Sequence, residues 1–297
     1  MKTSALNLDK VIEFQSKGFI LTFVNSAKMK TIKLICSDID GTLLNTERDL
    51  SEHTISTLNK LKKTLPIVLI SARMPSAMQH LQKQIGIEHY PLVAYNGGLI
   101  YADGKIVDST TIPYKLVDSI VKCNTDHLHL SLYNGDDWYV PQHDKWTERE
   151  ENNTKVDAIL KPNNEVLELW KTTSIGAHKI MCMGEQDKVS AFYETLSDNF
   201  SDKLHLYRSK DTYIEIAPKV ISKRSAIEFL IQTTYKFTME EVMSFGDNYN
   251  DIEMLEASGL GLAVGNANEE VKKVAKRIIG NAKQDGVAHF LNDYFKI

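Results

Sequence analysis

The sequence has few cysteines, little net charge and no long apolar run, and each shortage excludes a class of protein. Its 297 residues include three cysteines, which lie far apart and form no C-x-x-C pair, so neither a disulfide framework nor a thiolate zinc site is expected. The formal net charge of −4 gives no sign of a basic surface for nucleic acid or for a membrane. We therefore expect a cytoplasmic protein, and nothing in its composition implies a protein partner.

The longest early apolar run, residues 18–24, is interrupted by Thr22. It is far shorter than the roughly 20 residues of a membrane-spanning helix and too short for a signal-peptide core. The run that starts at Met29 is typical of a first strand. We therefore assign residues 1–30 to an N-terminal extension, and whether its first 28 residues belong to the native protein stays open.

What the sequence does contain is an alternation of short apolar runs with amphipathic helical segments. Runs at 32–36 and 67–70 alternate with helical patterns around Leu58 and Leu81, and the alternation returns between residues 226 and 275. This pattern is typical of a parallel sheet with helices on its faces. We predict an α/β fold with a Rossmann-like, doubly wound parallel sheet as its core.

Between the two pieces of this core, strand-like stretches mixed with helices indicate an inserted α+β domain. We predict a core of residues 31–108 plus 209–297 and an inserted domain of residues 109–208. Function should lie where the two domains meet, at the carboxyl ends of the parallel strands.

Two carboxylates directly follow the first strand, in the string Asp38-Ile39-Asp40-Gly41-Thr42. They repel each other unless a cation offsets their charge, and Mg²⁺ prefers such oxygen ligands. An ionised Asp38 can attack phosphorus, and Asp40 can act as general acid and base. Gly41 permits a sharp turn, so that the following amides, including that of Thr42, can face phosphate oxygens. Taken alone, such a string is more often a plain turn or an unrelated ion site.

Two further segments offer partners for phosphate oxygens. Ser71 follows the run at 67–70 and provides a hydroxyl, with capping of the next helix as its alternative role. Arg73 either steers an anionic substrate or is a solvated helix residue. Lys223, at the predicted start of a helix, can neutralise a transferring phosphoryl group, although a lone lysine there is usually a solvated charge.

The fourth segment, GDNYND at residues 246–251, follows an apolar strand and precedes an amphipathic helix. Asp247 is expected to complete the metal site from a neighbouring strand end. Asn250 and Asp251 are expected to hold metal waters, orient Lys223 or cap the following helix. Taken alone, this string is equally typical of a capped loop that binds no metal.

Taken together and in this order, the segments resemble the haloacid-dehalogenase superfamily, over roughly residues 31–297. The position of the insertion is similar to that of the Cof-type sugar-phosphatase subfamily, whose α+β cap domain lies over the active site and selects the substrate. The four signatures of the superfamily are matched here by Asp38-x-Asp40, Ser71, Lys223 and Asp247-x-x-Asn250-Asp251.

The resemblance implies a Mg²⁺-dependent phosphatase that hydrolyses small phosphorylated metabolites, sugar phosphates above all, through an aspartyl-phosphate. It implies that Asp40 binds the metal through its backbone carbonyl while its side chain does the acid–base work. The expected catalytic residues are Asp38, Asp40, Ser71 and Lys223. The expected metal ligands are Asp38, Asp40 and Asp247, supported by Asp251. The expected substrate contacts are Gly41, Thr42, Arg73, Asn96 and Asn250.

Asn96 enters this set because the string at 95–98 fits the subfamily, although a Gly-rich turn is at least as typical of it. The sequence also departs from the subfamily: Ser-Ala-Arg at 71–73 replaces the more frequent Thr-Gly-Arg, and Arg224 stands where glycine is common. Serine keeps the hydroxyl, so we expect the chemistry to survive. The side chains of Ala72 and Arg224 leave the local geometry and the substrate fit open.

Other functions fit parts of the pattern. A phosphomutase would share the aspartyl-phosphate, but such relatives carry a helical cap soon after the first signature, and here only about 28 residues separate Thr42 from Ser71. A dehalogenase would not require Asp40, and a phosphonatase would want a Schiff-base lysine in a helical cap. A domain that merely binds a phosphorylated ligand has no need for all of the catalytic carboxylates.

Overall fold

The computed structural model describes residues 31–297, so the predicted extension at 1–30 lies outside the described residues. The strands are β1 (Leu34–Ser37), β2 (Ile67–Ile70), β3 (Leu92–Ala94), β4 (Leu99–Ala102), β5 (Lys105–Ser109), β6 (His129–Asn134), β7 (Asp137–Val140), β8 (Ile159–Leu160), β9 (Lys179–Met183), β10 (Leu204–Lys210), β11 (Tyr213–Pro218), β12 (Val242–Gly246), β13 (Leu260–Ala263) and β14 (Arg277–Ile278). The α-helices are α1 (Glu52–Leu61), α2 (Ser76–Ile85), α3 (Tyr114–Cys123), α4 (Lys145–Thr154), α5 (Asn163–Thr173), α6 (Gln186–Phe200), α7 (Lys223–Leu230), α8 (Ile252–Ala257), α9 (Glu269–Val274) and α10 (Gly286–Phe295).

The first sheet has eight strands in the order β14-β13-β12-β1-β2-β3-β4-β5. Neighbouring strands from β14 to β3 are parallel, and β4 and β5 continue the sheet as antiparallel strands. All residues of β1, β2 and β12 are buried, as expected for strands that are covered on both faces. The predicted α/β fold with a parallel-rich sheet is confirmed.

The register between β1 and β12 determines where the two acidic segments meet. These strands run parallel side by side, with Leu34 opposite Val242 and Ser37 opposite Phe245. The residues that follow each strand therefore leave the same edge of the sheet, although they are far apart in the sequence. This edge is where the sequence predicts the functional site.

The second sheet has six strands in the order β10-β11-β9-β6-β7-β8, which are antiparallel except for β7 and β8. One face is covered by α3, α5 and α6, whose apolar residues form a separate core with those of the sheet. Side chains of the other face, Tyr133, Trp138 and Met181 among them, join the core of the first sheet. The domain boundaries at 109 and 208 stay a prediction, and β11 extends the second sheet past residue 208.

None of the helices within residues 31–297 combines the length and the apolar character that crossing a bilayer requires. The cysteines are free, and burial raises the pKa of the Cys36 and Cys182 thiols, which makes them unreactive packing residues. The cytoplasmic location stays a prediction.

His178 lies between the two sheets. Its ring stacks on that of Tyr95 with 5.2 Å between the ring centroids. Its Nδ1 accepts a hydrogen bond from the amide of Gly135 at 3.1 Å, and its Nε2 lies 3.1 Å from Ser109 Oγ. Because Nδ1 is an acceptor, the ring is neutral with its proton on Nε2. Burial lowers the pKa of His178 to about 4.

We expect the free energy of unfolding to fall as the pH decreases from about 6.5 to about 4, the interval that the shift of His178 spans. In this interval His178 is protonated in the unfolded chain but neutral in the folded protein, so acid favours unfolding. The free energy of unfolding falls by about 3 kcal/mol at pH 4. Urea midpoints at pH 7 and pH 4.5 measure the effect. The pH dependence should be weaker in His178→Gln and unchanged in His89→Gln, which alters an exposed histidine. Equal pH dependence in both variants would contradict the assignment.

Candidate active site

Three aspartates from two acidic segments converge at the carboxyl edge of the first sheet. Asp38 directly follows β1, Asp247 directly follows β12, and Asp251 lies one turn further on. One carboxylate oxygen from each lies within 4.8 Å of the other two. Asp38 and Asp251 are buried and Asp247 is half-buried, so water can offset little of their mutual repulsion.

Lys223 supplies the cation of this group. It is fully buried and donates from Nζ to Asp38 Oδ1 and to Asp251 Oδ1, each at 2.6 Å. It is the first residue of α7, and the helix start is fixed by a capping box between Ser222 and Ser225. The predicted helix start is confirmed, whereas the alternative of a solvated lysine is wrong.

Asp251 holds both Lys223 and the loop that carries Asp247. Its Oδ2 accepts hydrogen bonds from the amides of Asp247 at 2.9 Å and Asn248 at 3.0 Å. A Cβ at Gly246 would collide with the Asp251 side chain, so only glycine lets the loop close this tightly. Of the roles predicted for Asp251, these contacts support orientation of Lys223, and the bond from the Asn248 amide also caps the short turn at 249–251 that leads into α8.

The charges of the acidic group do not balance. Burial raises the pKa of Asp38 well above its usual range, against the opposing charge of Lys223. Burial and the charge of Asp251 raise the pKa of Asp247 to about 7. Ionisation of all three carboxylates beside one ammonium would leave two negative charges uncompensated, and the raised pKa values oppose that state. A divalent cation that prefers oxygen ligands would remove this excess, so the residues present fit Mg²⁺.

Gly41 and Thr42 shape the neighbourhood of Asp247. Gly41 has a φ of +82°, which favours glycine, and a Cβ there would collide with the Asp247 carboxylate. Thr42 is buried and donates from Oγ1 to Asp247 Oδ1 at 3.2 Å. Contact of these two residues with the substrate stays a prediction. In addition, both residues help to position the Asp247 side chain.

The side chain of Asp40 faces two arginines. Its Oδ2 lies 2.6 Å from Arg73 Nε, and its Oδ1 lies 2.8 Å from a terminal nitrogen of Arg73 and 2.8 Å from one of Arg48. Burial raises the pKa of Asp40, but the hydrogen bonds of Arg73 and the charges of Arg73 and Arg48 outweigh it and hold this pKa below its usual range. The carboxylate is therefore ionised here, and its acid–base role stays a prediction.

Arg73 connects Asp40 to the second sheet's side of the molecule. Its guanidinium also donates to the carbonyls of Ala77 at 3.0 Å and of Asn153 in α4 at 3.4 Å. Only 7% of Arg73 is exposed, so the alternative of a solvated helix residue is wrong.

Ser71 does not cap the next helix, because α2 begins at Ser76. Its Oγ accepts from the Arg73 amide at 3.2 Å, which leaves the hydroxyl proton for another acceptor.

A chain of amides joins the two sheets across the site. Asn250 donates from Nδ2 to Asn96 Oδ1 at 3.0 Å, and Asn96 donates from Nδ2 to Glu215 Oε1 at 2.9 Å. Asn96 is buried and has a φ of +56°, within the short turn that follows β3. Burial raises the pKa of Glu215 in β11. The structure thus brings both predicted asparagines together with a carboxylate of the second sheet.

A cavity of about 870 Å³ lies between the sheets and is bordered by residues of both. Asp38, Ser71 and Asp247 lie on the side of the first sheet, and Glu215 on that of the second. The volume suits a small metabolite.

Arg224, which stands where glycine is common in the subfamily, is half-exposed and pairs with Glu228 at 2.8 Å. Its side chain therefore points away from the site.

Sequence reasoning missed several cationic residues of this cavity. Arg48, Arg149, Lys179 and Lys210 border it, yet each lies in a segment without a recognisable motif. Lys179 donates from Nζ to the carbonyl of Ala72 at 2.8 Å, a contact that any residue at position 72 could accept. No pattern in the sequence signals these residues. The placement of Arg149, Lys179 and Lys210 depends on how the second sheet lies on the first, and Arg48 lies in a loop after β1.

Comparisons with known proteins agree with this geometry. A Haemophilus influenzae protein is 31% identical over 268 residues, which cover 89% of this chain and 98% of that protein. The 5-amino-6-(5-phospho-D-ribitylamino)uracil phosphatase YitU of Bacillus subtilis is 29% identical, with 89% of this chain and 98% of that protein covered. A haloacid dehalogenase-like hydrolase from Bacteroides thetaiotaomicron superposes with a TM-score of 0.81 at 27% identity, with 89% of this chain and 100% of that chain covered.

The family described as haloacid dehalogenase-like hydrolase matches residues 35–291. This range includes the four segments of the site, which carry Asp38, Ser71, Lys223 and Asp247. This agrees with the resemblance in the four signatures. The chain therefore belongs to the haloacid dehalogenase-like hydrolase family and is a hydrolase.

Proposed function

We propose that this hydrolase is a Mg²⁺-dependent phosphatase of small phosphorylated metabolites, sugar phosphates above all, which acts through an aspartyl-phosphate on Asp38. The observation that carries the proposal is the buried Asp38, bonded to Lys223 beside two further aspartates at the floor of a cavity of metabolite size. The Bacillus subtilis relative is named as a phosphatase of a phosphorylated ribityl compound, which supports this substrate class.

In the first step, an Asp38 carboxylate oxygen bonds to phosphorus as the bond from phosphorus to the leaving oxygen breaks. Asp40 gives its proton to the leaving oxygen. A water molecule then loses a proton to Asp40 and attacks phosphorus, which releases inorganic phosphate and restores the Asp38 carboxylate. Because Arg73 and Arg48 hold Asp40 ionised here, it must take up a proton before the first step.

Lys223 and Ser71 act on the phosphoryl oxygens. The ammonium of Lys223 offsets their negative charge from the buried side, and the free hydroxyl proton of Ser71 is available to one of them. Mg²⁺, when held by Asp38, Asp247 and the backbone carbonyl of Asp40, would neutralise charge on the carboxylates and on the phosphoryl group. Asn250 borders the cavity, so we expect it to contact the leaving group, and Asn96, which is bonded to Asn250 and Glu215, holds it in position.

We expect hydrolysis of p-nitrophenyl phosphate in the presence of Mg²⁺ and a loss of about a hundredfold or more when EDTA removes the cation. The release of p-nitrophenolate measures the rate, and addition of excess Mg²⁺ should restore it. Equal rates with and without EDTA would contradict the metal requirement.

A panel of hexose phosphates, pentose phosphates and nucleotides separates the remaining functions. Release of inorganic phosphate from members of the panel supports a phosphatase. Transfer between positions of one sugar without release of phosphate would instead identify a phosphomutase. Binding without any turnover across the panel would identify a domain that only binds a phosphorylated ligand.

A further inference from the structure

A β-bulge in β10 turns one lysine toward the cavity. Tyr207 lies opposite Glu215, whereas Lys210 lies opposite Tyr213, so the register shifts between the two pairs. Residues that lie opposite each other on paired strands point to the same face of the sheet. Tyr213 and Glu215 are two residues apart in β11, so their side chains also lie on one face. Strict alternation from Tyr207 would place Lys210 on the other face. The extra residue therefore brings Lys210 to the face that carries Glu215.

Lys210 meets a second cation beside one aromatic ring. Its Nζ lies 5.8 Å from the centroid of the Tyr213 ring, and the guanidinium carbon of Arg149 lies 6.0 Å from the same centroid. Arg149 comes from α4, a different element, so two parts of the second sheet's unit contribute to the cluster. Both residues border the cavity that holds Asp38.

Nearby carboxylates do not balance this cluster. Among residues 31–297, Lys210 has no ion pair within 4.0 Å, and the contact of Arg149 with Glu150 is 3.9 Å long. Burial and the charges of Arg149 and Arg48 lower the pKa of Lys210, and Glu150 opposes them only in part. Glu215 is already bonded to Asn96, and its raised pKa weakens it as a counter-charge. An anion in the cavity would relieve this crowding of positive charge.

We propose that Lys210 and Arg149 bind a second anionic group of the substrate, so that the preferred substrates are phosphomonoesters whose leaving group ends in a further phosphate or carboxylate. This inference rests on the proposed phosphatase function and adds a substrate class to it. The phosphate to be transferred faces Asp38, and the second anion faces the opposite wall of the same cavity. Charge-assisted hydrogen bonds to such an anion are stronger than those to a hydroxyl.

Matched substrate pairs test the proposal. The kcat/KM for inorganic phosphate release is measured on glucose 6-phosphate against 6-phosphogluconate, which adds a carboxylate, and on fructose 6-phosphate against fructose 1,6-bisphosphate, which adds a phosphate. Wild type should prefer the more anionic member of at least one pair by about tenfold or more. The two pairs distinguish a carboxylate from a phosphate as the second anion.

Lys210→Met should lower this preference about tenfold or more, mainly through KM, while Lys210→Arg should retain most of it. Lys63→Met, which removes an exposed lysine next to α1, is the matched control and should leave the preference unchanged. Because the preference is a ratio within one preparation, partial unfolding cannot produce the result.

Two outcomes would overturn the inference: no preference for either anionic partner in wild type, or an unchanged preference in Lys210→Met. Failure of the proposed function is a different result, since wild type would then release no phosphate from p-nitrophenyl phosphate with Mg²⁺. Hydrolysis of that substrate without any preference refutes the second anion site alone.

Discussion

Replacement of Asp38 by asparagine is expected to lower kcat for p-nitrophenyl phosphate by about 10⁴-fold or more. Asparagine has almost the same shape as aspartate but cannot form the phosphorylated intermediate. Asp38 is buried, and its backbone N–H donates to the carbonyl of Phe245 at 3.0 Å. The substitution leaves this backbone hydrogen bond in place. The effect should therefore be on chemistry rather than on folding.

The matched control is Asp202→Asn, which makes the same change at an exposed aspartate and should retain full activity. Acid quenching of the wild-type enzyme during turnover, followed by mass spectrometry, should show a phosphoryl group on the peptide that contains Asp38. Substantial activity in Asp38→Asn, or a label on another peptide, would exclude Asp38 as the nucleophile.

Lys223→Met is expected to lower both activity and stability, with a loss of about 3–5 kcal/mol in the free energy of unfolding. Methionine has a similar length but no charge, so Asp38 and Asp251 would keep their burial and lose the cation that lies 2.6 Å from each. Urea unfolding measures the stability, and kcat/KM for p-nitrophenyl phosphate measures the activity, both in EDTA and in Mg²⁺.

A double variant separates the two effects of Lys223. Lys223→Met combined with Asp251→Asn removes one charge of each sign, so much of the lost stability should return while activity stays low. Lys63→Met again serves as the control for loss of an exposed lysine. If the single and double variants are equally unstable, the charge imbalance is not what destabilises the protein.

The sequence was sufficient to predict elements whose signals are local. The run at 67–70 is β2 as predicted, because four consecutive apolar residues make a strand that is buried on both faces. The helix start at Lys223 was also predictable, since Ser222 caps it. The acidic segments could be assigned to strand ends, and parallel strands bring their carboxyl ends to one edge.

Features that depend on packing between distant segments could not be predicted. The apolar run at 32–36 predicts the first strand, which instead runs from Leu34 to Ser37, because its pairing with β12 and β2 decides its limits. The pairing of Asp40 with Arg48 and Arg73 depends on the rotamers of long side chains. The face on which Lys210 lies depends on a bulge, which leaves no mark in the pattern of apolar residues.

The neighbouring positions of β1 and β12 also bear on how the protein is made. A ribosome produces residues 34–37 long before residues 242–246. Until then, β1 has no partner on one edge and Asp38 has neither Lys223 nor Asp247 beside it. Closing so long a loop is a late and slow event. A nascent chain that lacks residues 223–251 therefore has an incomplete site, and catalytic competence arises only after these residues have been made.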